Sequence, residues 1–80
     1  MPMNDQAKTL ALLDVLIANQ KRHLFKLARS IIPHITDEDL WQPNDFPQLE
    51  MHPYFRYEEG MLHAFQAAKS ALIAEFILKS

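Results

Sequence analysis

The residues that could do chemistry here are four histidines, a run of cations and a cluster of aromatics. The histidines are His23, His34, His52 and His63. Glu59 and His63 are four positions apart, so on a helix they share one face, with Glu58 alongside. Carboxylate and imidazole on facing helices are how di-metal bundle sites are built. Those sites use a Glu-x-x-His spacing, whereas this chain has Glu-x-x-x-His, and the first half adds only His23 and Asp14. Glu59, His63 and His23 are therefore metal candidates set against a plain surface ion pair, and the reading adopted is no metal and no cofactor.

Lys21, Arg22, Lys26 and Arg29 have no acid among them, and Arg22, Lys26 and Arg29 fall on one helix face. Residues 1–35 carry a net +3, residues 36–59 a net -6, and residues 60–80 a net +1. The stripe is either neutralised by the acidic segment that follows it or is an anion site at Arg22, Lys26 and Arg29. A chain of net charge -2 is a poor general polyanion binder, which argues against nucleic acid.

Five of the eight aromatics, Trp41, Phe46, Tyr54, Phe55 and Tyr57, lie within 17 residues. Two roles compete for them. Trp41, Phe46 and Leu49 could plug the end of a bundle, or Trp41, Phe46, Tyr54 and Phe55 could meet a protein partner. Catalysis finds little footing. There is no cysteine, and the serines are only Ser30, Ser70 and Ser80. No glycine-rich phosphate loop and no dinucleotide fingerprint occurs. The expected function is a non-enzymatic helical-hairpin protein that binds a partner through its connector. The alternatives are a small metal-binding or acid/base bundle using Glu59 and His63, and a nucleic-acid accessory protein using the stripe.

The elements that must position these residues are helices. One glycine in 80 residues leaves little for hairpin turns, so an all-β fold is excluded. A helix is predicted over residues 5–32, capped by Asn4 or Asp5 and ended by Pro33. Within it Leu10, Leu13, Ile17, Leu24, Leu27 and Ile31 recur at alternating steps of three and four, with Gln20 the polar member of the seam. A second long helix is predicted over residues 53–79, with Pro53 at its first position.

The 20-residue connector should hold a short helix over residues 37–42. Thr36 is its N-cap, Ile35 and Leu40 form a hydrophobic staple, and Pro43 is its stop. A further turn is expected at Pro47–Met51. The whole is read as one domain, all-α, an antiparallel hairpin of two helices each about 40 Å long.

Apolar residues occupy 31 of the 55 positions on the two long helices. A core-facing helix needs about three in seven, or roughly 24 of 55. The surplus sits in Leu10–Ala18 and Ala71–Leu78. A lone hairpin cannot cover those segments, so a twofold dimer forming a four-helix bundle is expected. Its interface would use Leu10, Leu13, Leu16, Ile17, Ala64, Ala68, Ala71, Leu72 and Phe76. Gly60, Ala64, Ala67, Ala68, Ala71 and Ala74 form a small-residue surface suited to close backbone approach. Without cysteine, no disulfide supplements the core. No apolar run approaches the ~20 residues of a bilayer span. Asp5, with no basic stretch before it, argues against a signal peptide. A cytoplasmic location is expected.

Overall fold

Two long runs free of internal proline, one ended by Pro33 and the other opened by Pro53, favour two long helices, with Gly60 the one glycine inside them. The computed structural model, which describes residues 5–42 and 45–79, contains helix α1 over Asp5–Ile31 and helix α4 over Pro53–Lys79, each 27 residues. Between them are two single-turn helices, α2 over Asp37–Leu40 and α3 over Pro47–Glu50. The described residues are helical or irregular, with no strand. The expected Asn4 cap and Pro43 stop lie outside them.

Local chemistry explains each boundary. The α1 ladder makes its last bond from the Ile32 amide to the Ala28 carbonyl at 2.8 Å, just before Pro33 forbids a further turn. Thr36 caps α2: its hydroxyl accepts from the Asp39 amide, and the Asp39 carboxylate accepts from the Thr36 amide in return. This capping box uses aspartate where glutamate or glutamine is usual. The turn ends at Leu40, two residues earlier than expected. The Trp41 and Gln42 amides bond only three residues back, to Glu38 and Asp39, which tightens the turn and stops the ladder. Pro47 opens α3 and Pro53 opens α4, where a missing N–H costs nothing. His52 caps α4, its Nδ1 accepting from the Phe55 amide at 3.3 Å.

α1 and α4 pack together in a hairpin-like arrangement. Asp14 meets Lys69, while Gln20 and His23 both meet Glu58, so one helix runs back along the other. Gln20, the polar residue of the apolar seam, is buried. Its Nε2 donates to the Glu58 carbonyl at 2.9 Å and to the Glu58 carboxylate at 2.6 Å. A slip of one turn would strand that amide without an acceptor, at a cost of about 1–3 kcal/mol. The Glu58 carboxylate, which no slip of one turn would replace, therefore helps to set the register of the two helices.

The core lies at the connector end. Leu24, Ala28, Ile35, Leu40, Leu49, Phe55 and Leu62 are buried together, with Phe46 partly buried against them. The staple residues Ile35 and Leu40 both reach this core, and so does Leu49. Trp41 does not, being 53% exposed. Of the expected plug of Trp41, Phe46 and Leu49, Leu49 is buried and Phe46 packs against the core, while Trp41 is corrected to a surface residue and Ile35 and Leu40 take its place. Adjacent residues on a helical turn point about 100° apart, and with Leu40 turned inward on the capped turn Trp41 falls on its exposed side.

Toward the chain termini the picture reverses. Among the described residues, none before Gln20 and none after Leu62 is buried. The seam residues Leu10, Leu13, Ile17, Leu72 and Phe76 are only half-buried. A pair of helices shields one stripe on each, and the flanks of that stripe stay wet. The molecule is correspondingly long, 46 × 23 × 19 Å.

Candidate interaction surfaces

Two surfaces remain once the core is accounted for. The first is the apolar open end. Leu12 is 61% exposed, Val15 54% and Leu78 81%, with Leu16 and Ile73 also exposed. Leu12 and Val15 lie on the side of α1 turned away from the seam, and Leu16 lies on its flank. Of the residues expected at a dimer interface, Leu16, Ala64, Ala68 and Ala71 are exposed. Leu10, Leu13, Ile17, Leu72 and Phe76 are half-buried along the seam. Leu12, Val15, Ile73 and Leu78, outside that set, are exposed too. They fall in the segments where apolar residues surround the helix, and there spacing alone assigns no facing.

A groove of about 530 Å³ runs beside the seam at this end, between Ile17 and Ala18 on α1 and Gln66, Ser70 and Ile73 on α4. Asp14 and Lys69 join across it at 2.5 Å. α4 over Pro53–Leu78 is long and apolar enough by length and composition to cross a membrane, and little of it is buried within the chain.

The small-residue surface of α4 faces outward. Ala64, Ala67, Ala68, Ala71 and Ala74 are exposed, and a Cβ at Gly60 would meet nothing within 4 Å. The expected close backbone approach is therefore not made inside one chain. The reason is geometric: Phe55, Leu62 and Lys69 mark the inward line of α4, and Gly60, Ala67 and Ala71 lie opposite it. Gly60→Ala is accordingly expected to raise stability by about 0.5–1 kcal/mol, since alanine loses less backbone entropy in a helix. Urea melts at low protein concentration measure this. A lower midpoint would mean that another backbone does approach position 60.

The second surface is at the connector end. Lys21, Arg22, Lys26 and Arg29 are all exposed. The connector folds back onto α1, yet among the described residues no carboxylate pairs with any of the four. Arg22 donates to the Asn19 side-chain carbonyl. Lys21 sits 5.4 Å over the Trp41 ring. Arg29 stacks 5.6 Å from the Phe25 ring and donates to the Pro33 carbonyl at 3.4 Å. The anion candidates Arg22, Lys26 and Arg29 are thus brought together on one open face.

The partner candidates are split. Trp41 and Tyr54 are exposed, Phe46 is half-buried, and Phe55 is fully buried. Phe55 is withdrawn from the partner set, because it shares the inward line of α4 with Leu62 and closes the core.

The histidine candidates are not gathered. His23 faces Glu58 at 3.5 Å, Glu59 pairs with Arg56 at 3.2 Å, and His63 is exposed. No group of three metal-ligating side chains forms among the described residues. The pairing of Gln20 with Glu58 was not foreseen. Its signal was present, since a polar residue in an apolar seam demands an acceptor on the facing helix.

Fold and surfaces together define a small all-α protein of two long helices closed at one end and apolar at the other. Comparison of the chain with protein-family models, curated proteins and solved structures gives no match.

Proposed function

We propose that this chain is a non-enzymatic helical-hairpin interaction protein that acts as a homodimer and engages a protein partner through its connector. Two hairpins would join through Leu10–Ala18 and Ala71–Leu78 into a four-helix bundle. The single observation that carries this reading is the surface the lone chain leaves wet. It exposes 5898 Å², whereas a monomeric protein of 9.3 kDa ordinarily exposes about 5,000 Å². The elongated shape of a lone hairpin accounts for part of that surplus, and a second copy, which in a standard interface covers roughly 800 Å² on each partner, would hide its apolar share. The open end holds the apolar side chains for it: Leu12, Val15, Leu16, Ile73 and Leu78.

A second copy fits this face better than a bilayer does. The Asp14–Lys69 pair and the polar tips of Gln66 and Ser70 border the groove, and lipid would strip them of water. A protein partner can leave them at the rim of the interface. Size-exclusion chromatography with light scattering tests the reading. The expected mass is twice the 9.3 kDa chain mass at micromolar concentration, in buffer without detergent. A clean monomer, or a chain recovered only with detergent or vesicles, would overturn it.

A further inference from the structure

We infer that the groove between α1 and α2 docks an acidic peptide segment of a protein partner, with a bulky apolar side chain lying on Phe25 and Trp41 and carboxylates meeting Arg22 and Lys26. This rests on the reading that the connector engages a partner, and it names the chemistry of that partner. The groove holds about 420 Å³ between Lys21, Arg22 and Phe25 on one wall and Asp37, Leu40 and Trp41 on the other. Arg22 and Phe25 also line an adjoining hollow that reaches Lys26. The two hollows are neighbours on α1, with Arg22 and Phe25 between them.

The charge beside these hollows is positioned but not neutralised. Seven acids lie between residues 36 and 59, yet Lys21, Arg22 and Arg29 are held by neutral groups: an aromatic ring, an amide oxygen, and a ring with a carbonyl. Such contacts fix the side chains in place and leave their charge for a ligand. Trp41 lies beside them half in water, and tryptophan and arginine are the side chains most often found to dominate binding energies.

The acidic wall decides between a peptide and a nucleic acid. Asp37 lines the α2 side of the groove and Glu38 is exposed next to it. An unbroken string of phosphates would face both. A peptide can place carboxylates toward α1 alone and turn an apolar side chain toward Trp41. The chain's net charge of -2 gives no long-range pull on a polyanion either.

Trp41 is the only tryptophan and reports on the groove directly. The test is a fluorescence titration of the full chain with a synthetic peptide of alternating glutamate and leucine. The same peptide with glutamine in place of glutamate, oligo-dT, and phosphatidylserine vesicles are titrated in parallel. The acidic peptide is expected to shift Trp41 emission to the blue, more weakly as salt rises. Arg22→Glu with Lys26→Glu is expected to weaken binding about tenfold or more, with an unchanged far-ultraviolet helical spectrum. The proposal is overturned if the glutamine peptide binds as well, if the charge-reversed variant keeps its affinity, or if oligo-dT or the vesicles bind more tightly than the acidic peptide. Light scattering on the same samples keeps the two readings apart. A dimer that ignores the peptide overturns only the groove, and a monomer that binds it overturns only the dimer.

Discussion

Phe55→Ala is expected to destabilise the protein by about 3–5 kcal/mol, the usual cost of emptying a fully buried aromatic site. Phe55 is 0% exposed and belongs to the cluster that joins α1, both short helices and α4. The cavity left behind would open inside this shared cluster, where α1 and α3 both pack on α4, so no single element could relax to fill it. A small domain holds roughly 5–15 kcal/mol in total and one of this size falls toward the lower end. The variant should therefore be largely unfolded at room temperature by circular dichroism. Tyr54→Ala is the control. Its ring is exposed, and its loss should shift the urea midpoint little. Equal effects at positions 54 and 55 would mean that the inward line of α4 is misplaced.

The second large effect concerns assembly. If the proposed dimer forms, Leu12→Lys combined with Val15→Lys is expected to convert it to a monomer while preserving the helical spectrum. Both side chains lie on the side of α1 turned away from α4, so within one chain the exchange should cost little, on the order of 0.5 kcal/mol per site. Across a twofold interface each change occurs twice. Losing the burial of four such side chains costs about 4 kcal/mol or more, which weakens association on the order of a thousandfold. Sedimentation equilibrium of the variant against the parent chain reads this directly. An unchanged mass would move the interface off the Leu12–Val15 face.

Some of this architecture is legible in the residues alone. Pro33 and Pro53 bracket the connector, and the absence of glycine and proline between Asp5 and Ile32 leaves one long helix as the natural outcome. The α1 seam reads correctly because polar residues interrupt the apolar ones at a helical period, so the pattern has a phase. Thr36, with three acids after it, announces α2, and the Ile35–Leu40 staple announces which way it faces. The exposure of Trp41 is not written in the sequence in the same way, because a residue 100° round from an inward-facing leucine can pack at the edge of a core, as Phe25 does beside Leu24.

The facing of α4 was not legible, for a related reason. From Ala67 to Leu78 its residues are apolar or small nearly all round, with Lys69, Ser70 and Glu75 the exceptions. A pattern without contrast has no phase. Ala64, Ala68 and Ala71 could have faced α1 as readily as Leu72 and Phe76. The same gap let Phe55 pass for a surface residue, since aromatics on either side of it are exposed.

By itself, then, the sequence determined that this protein is helical, where its helices begin and end, and that it carries more apolar surface than two helices can hide. Those properties follow from proline geometry, capping chemistry and hydrophobic count, all of which act within a few residues. Only the tertiary structure decided which apolar residues stay wet, that Glu58 meets His23 and Gln20, and that, among the described residues, the cations of α1 contact the connector without an ion pair to its acids. Most of these are contacts between residues far apart in the chain. They depend on the register of one helix against another, which a single buried amide and its acceptor help to set.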